Sequence, residues 1–129
     1  MLVLLDTTVL IDYLRGRRAV GRVNALIDQG DPLCTTPINV EEVVRGLRPE
    51  EIPAVDALFD GLRIVPIGRE EGRRAGEWRR RFAGRGTTLS QADCLIAAAA
   101  CSTSALLATG NPRHFPMTGI AVEHWPVGE

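Results

Sequence analysis

Two hydrophobic patterns alternate along the chain. Short apolar runs without polar alternation, beginning with residues 2–5, are typical of strands buried on both faces of a parallel sheet. Longer segments repeat apolar residues every three or four positions, as amphipathic helices do. The alternation predicts one α/β domain over residues 1–129, with a parallel central sheet flanked by helices in three layers. The predicted strands are residues 2–5, 33–35, 62–67, 105–109 and 120–122, and the predicted helices are residues 9–14, 19–29, 37–47, 49–60, 69–83 and a segment from about residue 90.

The first strand ends in a carboxylate. Asp6 follows the apolar run directly, and Thr7 and Thr8 come next. In open α/β sheets, ligands bind outside the carboxyl ends of the strands, which makes Asp6 a candidate site residue. A strand-end turn or helix cap explains Asp6 equally well, and Thr7 or Thr8 is predicted to cap the following helix.

Two neighbouring acids on the helix after Thr36-Pro37 have different explanations. Glu41 lies four residues before Arg45, where the pair stabilises a helix from the solvent side. Glu42 has no basic residue three or four positions away in the helix and lies at the border of the buried stripe. It is therefore a second candidate, with a solvated helix acid as the alternative. That stripe is predicted to consist of Val40, Val43, Val44 and Leu47.

A third acid begins the most apolar helix. Ser90 and Asp93 have the spacing of a capping box, which is one explanation of Asp93. Residues 94–101 are apolar all round, so the helix is predicted to be central. The helix dipole holds the Asp93 carboxylate at its N-terminal end, where it faces any pocket at that end. The strand that follows ends at Thr109, and Asn111 comes two residues later. Polar residues therefore again follow the carboxyl end of a predicted strand.

Composition narrows the class of protein. The 129 residues carry a net charge of −1, but residues 63–85 hold eight arginines against three glutamates, so an acidic body carries a basic band. All 15 basic residues are arginine, and the absence of lysine argues against a phosphoacceptor receiver domain. No secretion signal or span of bilayer length is present, and three cysteines without paired spacing favour reduced thiols in the cytoplasm.

Four motifs occur in order along the chain. The sequence begins with Asp6-Thr7-Thr8 and continues with Glu42-Val43-Val44-Arg45-Gly46, an E-x-x-x-G pattern. Ala92-Asp93-Cys94-Leu95-Ile96-Ala97-Ala98 and Thr109-Gly110-Asn111-Pro112-Arg113-His114-Phe115 complete the set. Over essentially its whole length the chain resembles the PIN domain, and within it the VapC family of toxin ribonucleases from bacterial type II toxin–antitoxin pairs.

This resemblance implies a PIN-like fold and a metal-dependent endoribonuclease that cleaves RNA with a metal-activated water. Asp6, Glu42 and Asp93 are then the catalytic carboxylates and the metal ligands, direct or through water. Three such carboxylates in one pocket repel one another, and Mg²⁺ or Mn²⁺ relieves that repulsion because both prefer oxygen ligands. The hydroxyls of Thr7, Thr8 and Thr109 are expected to orient a carboxylate.

One departure from the family pattern affects the expected metal affinity. The family often places a fourth acid in the closing motif, where this chain has Asn111 and His114. An amide binds metal without contributing charge, so we expect weaker affinity at a second metal position. The alternative for Asn111 is a simple turn before Pro112. The same departure keeps open a second function, that of a non-catalytic PIN-like module that binds RNA or protein.

Partners follow from the same resemblance. It implies an RNA substrate, a homodimer, and a cognate antitoxin that covers the acidic pocket. An acidic pocket repels RNA, so phosphate contacts are expected from its rim, with Arg15, Arg17 and Arg18 as candidates. The arginine-rich helix of residues 69–81 either contributes to these contacts or binds a partner protein.

Overall fold

A computed structural model of the chain describes residues 1–128; the final residue of the predicted domain, Glu129, lies outside the described part. Five strands alternate with six helices and two short 3₁₀ turns over these residues. In chain order the elements are β1 (Val3–Leu5), α1 (Thr7–Leu14), α2 (Ala19–Asp28), β2 (Leu33–Thr35), α3 (Pro37–Arg45), a turn at Pro49–Glu51, α4 (Ile52–Asp60), β3 (Arg63–Ile64), α5 (Arg69–Ala83), α6 (Gln91–Thr103), β4 (Leu106–Thr109), a turn at Pro112–His114, and β5 (Ala121–His124).

The five strands form one parallel sheet in the order β3-β2-β1-β4-β5. The parallel sheet predicted from the sequence is therefore confirmed. β1 pairs with β2 on one side and with β4 on the other, so the strand order reverses at β1. A crevice opens at the carboxyl end of the strands at such a reversal, and Asp6 is the residue that follows β1 there.

Helices cover both faces of the sheet. On one face α5 and α6 pack through Trp78 and Ala97 against Leu4 and Leu107. On the other face, residues of α1 and α2 such as Val9 and Val23 pack with the side chains of Val3 and Leu5. This arrangement confirms the three predicted layers. Within residues 1–128, no helix combines the length and the apolar character needed to cross a bilayer.

The predicted buried stripe of α3 is wrong in part. Val43 is buried, but the side chain of Val44 is 50% exposed. The inward side of this helix instead runs through Asn39 and Val43, which are four residues apart and therefore share a face. The error matters because it moves a polar residue, Asn39, into the interior beside the carboxyl end of β1.

The predicted strand at residues 62–67 is shorter in the structure. Only Arg63 and Ile64 pair with β2, at the edge of the sheet. The Val65 amide still donates to Thr35, and Pro66 follows. Because proline has no amide hydrogen, the ladder cannot continue through it.

Candidate active site

Asp6 lies at the carboxyl end of β1 with only 6% of its surface exposed. It occupies the residue before α1, yet its carboxylate does not cap that helix. The predicted capping by Thr7 or Thr8 is also wrong. The Thr7 hydroxyl donates to Glu42 over 2.6 Å, and the Thr8 hydroxyl accepts from the Gly110 amide over 2.9 Å. Both threonines connect α1 to other segments instead, because α1 begins at Thr7 and the N-cap position falls on Asp6.

Side chains from two other elements hold the Asp6 carboxylate. Thr109, at the end of β4, donates its hydroxyl to Asp6 Oδ2 over 2.7 Å. Asn39 of α3 donates from Nδ2 to Asp6 Oδ1 over 3.3 Å. The Thr109 hydroxyl also accepts from the Asn111 amide over 3.0 Å, which fixes the direction in which it donates. The predicted role of Thr109 in orienting a carboxylate therefore agrees with its contacts.

Asn39 links Asp6 to Glu42. Its side-chain oxygen accepts from the Thr36 hydroxyl over 2.7 Å and from the Thr36 amide over 3.2 Å, so Asn39 completes a capping box. Its Nδ2 donates to Thr7 as well as to Asp6, over 3.0 Å in the first case. Because Thr7 in turn donates to Glu42, a continuous chain of hydrogen bonds joins the two carboxylates.

Asn39 is not among the site residues predicted from the sequence. The available signal was its position on the same narrow face of α3 as Glu42. It also stands three residues after Thr36, the spacing from which an amide can close a capping box. Its place in the capping box explains Asn39 without any functional role. In the structure the same side chain also bonds Asp6 through Nδ2.

Asp93 approaches from the start of α6. The Ser90 hydroxyl accepts from the Asp93 amide over 3.0 Å, which is one half of the predicted capping box. Within the described residues the Asp93 carboxylate makes no reciprocal bond to Ser90; its Oδ2 lies 3.6 Å from Nδ1 of His114. The Asp93 side chain is 24% exposed, and its negative charge acts on Asp6. The capping explanation therefore accounts for the Ser90 side chain and leaves the Asp93 carboxylate available.

The charges of two other acids act on the Asp6 carboxylate. Burial raises the pKa of Asp6, and the negative charges of Asp93 and Glu42 raise it further. Hydrogen bonds from the Thr109 hydroxyl and the Thr7 amide oppose this rise. A nearby cation strongly stabilises the ionised form of a carboxylate that is both desolvated and close to two others. The crevice therefore has the character of a cation site rather than of an anion site.

The donor set fits a hard divalent cation. The acids and threonines around Asp6 offer carboxylate and hydroxyl oxygens, and Mg²⁺ and Mn²⁺ prefer oxygen donors. Among residues 1–128, however, no three acidic, histidine or cysteine side chains lie close enough to form a compact cluster of direct ligands. Because Mg²⁺ keeps several of its waters in protein sites, contacts through water suit the wider spacing found here. Asp6, Glu42 and Asp93 are the residues that would hold it.

The remaining predicted site residues lie around this centre. Asn111 is exposed, and its amide bonds Thr109. Arg15 lines a cleft of about 320 Å³ together with Glu42, which places one predicted phosphate contact at the rim of the acidic crevice. Arg17 lines a separate cleft of about 240 Å³ beside Thr8, and Arg18 is exposed on the same turn. The structure thus places Arg15 and Glu42 along one cleft, whereas Arg17 lines another and Arg18 is exposed to solvent.

A family model for the PIN domain matches residues 3–119. The chain belongs to the PIN-domain family. Its relatives include ribonuclease VapC19 of Mycobacterium tuberculosis, which is 34% identical over 115 residues that cover 88% of this chain and 92% of the relative. The resemblance drawn from the four motifs is therefore confirmed at the level of the family.

Solved structures of VapBC complexes contain chains with the same fold. VapBC from Salmonella typhimurium, determined bound to DNA, superimposes with a TM-score of 0.82 at 26% identity and covers 97% of this chain and 99% of that one. VapBC2 from Rickettsia felis, bound to a promoter DNA fragment, gives a TM-score of 0.84 at 20% identity, with 97% and 99% covered. The second likeness concerns the fold alone, and it extends over nearly the whole chain.

Proposed function

We propose that this PIN-family chain is a metal-dependent endoribonuclease and the toxin of a toxin–antitoxin pair. The observation that carries the proposal is the buried Asp6 carboxylate, which lies within electrostatic reach of Glu42 and Asp93 and is held by side chains rather than by a helix cap. Membership of the PIN family and 34% identity to a protein named as a ribonuclease support the same conclusion.

Each residue of the site has a distinct task in this proposal. Asp6 is the central anchor, and Thr109 and Asn39 fix the direction of its two oxygens. Thr7 holds Glu42 at the edge of the crevice, and Asp93 faces it from α6. A bound Mg²⁺ or Mn²⁺ would polarise the scissile phosphate and lower the pKa of a water for in-line attack. Glu42 or Asp93, both less buried than Asp6, accepts the proton that the attacking water loses.

Partners and location belong to the same proposal. The VapBC complex from Salmonella typhimurium supports an antitoxin as a partner of this chain. We infer that the antitoxin covers the acidic crevice. We further infer an RNA substrate whose phosphates contact Arg15, Arg17 and Arg18, a homodimer, a single domain over residues 1–129, and action in the cytoplasm.

Two adjacent glutamates give a matched test of the nuclease. Glu42→Gln keeps the length of the side chain but removes a charge from the crevice, so RNA cleavage in Mg²⁺ should fall by roughly a hundredfold. Glu41→Gln removes the same charge from an exposed ion pair with Arg45, whose N–O distance is 3.4 Å, and cleavage should be unchanged. The measurement is the rate of cleavage of total RNA, with circular dichroism to establish that both variants fold.

Two outcomes would contradict the proposal. Equal cleavage by both variants would show that the crevice is not catalytic, and RNA binding without any cleavage by the wild type would favour the non-catalytic module. The role as a toxin is tested separately by inducing the chain in bacteria. Growth should stop, and co-expression of the product of an adjacent small gene should restore it.

A further inference from the structure

A second cleft lies beside the acidic crevice, at the carboxyl ends of β4 and β5. Its volume is about 450 Å³. That size falls within the roughly 300–1,000 Å³ of pockets that bind small organic ligands, so a nucleotide unit fits. None of the lining residues is acidic; they are Gly110, Asn111, Pro112, Arg113, His114 and His124.

The fold brings this cleft against the site at two points. His114, in the turn after Asn111, has its Nδ1 3.6 Å from Oδ2 of Asp93. His124 pairs with Thr109 in the β4–β5 ladder, and Thr109 is the residue that bonds Asp6. Val122 packs into the core on the α6 side, and side chains two residues apart in a strand share a face, so His124 lies on that side too.

The cleft has the opposite charge character from the crevice. Arg113 is exposed, carries a permanent positive charge, and forms no ion pair within residues 1–128. The imidazoles of His114 and His124 each offer ring nitrogens for hydrogen bonding. A guanidinium fork matches the geometry of a phosphate, so the natural ligand of this group is a phosphodiester.

We propose that Arg113, together with His114 and His124, binds a non-scissile phosphate of the RNA strand and thereby sets which bond lies at the carboxylates. The inference rests on the proposed nuclease function. RNA has a phosphate on every nucleotide, so a strand with one phosphate at the carboxylates carries its neighbour into the adjoining cleft. The acidic crevice repels RNA when no metal is bound, and the cleft supplies attraction on the side of β4 and β5.

The test measures RNA binding at several salt concentrations. All proteins carry Asp6→Asn, so that they do not cleave the RNA. The probe is a short mixed-sequence single-stranded RNA labelled at one end, and its binding is measured by fluorescence anisotropy. Arg113→Ala should weaken binding about tenfold. It should also lower the slope of log K against log salt by about 0.7, the value for one phosphate contact on a single strand. Arg63→Ala is the control, because it removes an exposed arginine from β3 at the opposite edge of the sheet.

A set of probes with single neutral methylphosphonates locates the contact. In the Arg113-containing protein, one substituted position should weaken binding, and in Arg113→Ala the same substitution should have no further effect. His124→Ala should also weaken binding of the unmodified probe, and the methylphosphonate at that same position should then have a smaller effect. Such non-additivity between a side chain and one phosphate identifies direct contact.

The outcomes separate this inference from the nuclease proposal. If Arg113→Ala leaves the slope unchanged, or if Arg63→Ala lowers it equally, the cleft is not a phosphate subsite, although the nuclease proposal stands. If Arg113→Ala weakens binding of the antitoxin but not of RNA, the cleft serves the protein partner and the inference is overturned. Cleavage by Asp6→Asn at a rate within about tenfold of the wild type contradicts the nuclease proposal itself.

Discussion

Two buried aspartates near the start of the chain serve different purposes. Asp6 and Asp12 are 6% and 4% exposed. Asp6 directly precedes α1, and Asp12 lies within that helix. Asp12 accepts backbone amides from Ala19 and Gly128, each over 2.8 Å. Asp6 accepts mainly from side chains, those of Thr109 and Asn39, and has two further carboxylates nearby.

Under the proposed function, this difference separates a structural acid from a functional one. Each oxygen of Asp12 accepts one backbone amide, from the start of α2 or from the C-terminal segment, so its carboxylate joins both segments to α1. The partners of Asp6 are side chains from α3 and β4, and the charges of Glu42 and Asp93 act on its carboxylate. Burial alone therefore does not distinguish the two, whereas the origin of the hydrogen bonds and the neighbouring charges do.

The largest effect expected from this comparison is on catalysis. Asp6→Asn should reduce RNA cleavage by about a thousandfold, a loss of roughly 4 kcal/mol of transition-state stabilisation, because the central negative charge of the site is removed. The overall fold should persist, since an asparagine oxygen still accepts from Thr109. Cleavage rates in Mg²⁺ and a near-wild-type thermal transition would together establish the point, and a loss of less than tenfold would contradict it.

Asp12 should show the reverse behaviour. Asp12→Ala leaves the amides of Ala19 and Gly128 without their charged acceptor, and we expect the free energy of unfolding to fall by about 3 kcal/mol. Cleavage per folded molecule should be retained. Urea denaturation measures the loss, and Asp28→Ala at the exposed end of α2 is the control, with a change of about 0.5 kcal/mol or less.

If Asp12→Ala does not fold, Asp12→Asn can replace it, since an amide oxygen still accepts one of the two bonds. Wild-type stability in both variants would show that the C-terminal segment is held by other contacts, such as the packing of Trp125 in the core.

Much of this arrangement could be predicted from the sequence. Buried strands and amphipathic helices are encoded by local periodicity, so the parallel sheet and the positions of Asp6, Glu42 and Asp93 at the ends or borders of core elements could be recognised. Family membership was visible because four motifs occur in order, although none of them is specific alone.

What the sequence could not provide depends on contacts between distant segments. The role of Asp12 requires knowing that Gly128 returns to α1, a separation of 116 residues. The short helix α3 has several nearly equivalent apolar phases, so the choice of Val44 over Asn39 as an inward residue was a reasonable error. The hydroxyls of Thr7 and Thr8 satisfied a local capping rule, but partners on α3 and the β4 turn bind them instead.

A smaller effect tests whether the side-chain partners of Asp6 matter. Thr109→Val keeps the shape of a buried residue but removes the hydroxyl that bonds Asp6, so cleavage and metal affinity should each fall by about 10–100-fold. Thr103→Val removes a hydroxyl that bonds only the backbone of α6, and it is the matched control. If both variants cleave equally well, orientation by Thr109 has no part in catalysis.

The smallest effect is a dependence of stability on pH that Asp6 should confer. Because burial raises the pKa of Asp6 above its ordinary value of 3.8, the folded protein holds this proton to higher pH than the unfolded chain does. Ionisation therefore costs the folded state more, and the contribution of Asp6 to stability declines as pH rises from below 3.8 through the folded-state pKa. In EDTA, the stability of Asp6→Asn relative to wild type should increase over that range and then level off at neutral pH.

Added metal should reverse that order. In the proposed function Mg²⁺ binds the folded wild type through the ionised carboxylate, so at about 100 times its Kd it should add roughly 2.7 kcal/mol to the free energy of unfolding. Asp6→Asn should gain much less, and the wild type should become the more stable protein at neutral pH. Chemical denaturation with and without Mg²⁺ measures both effects. A stability difference that is independent of pH and of Mg²⁺ would mean that Asp6, like Asp12, is only a structural acid, because a carboxylate destabilised by its site must respond to both protons and cations.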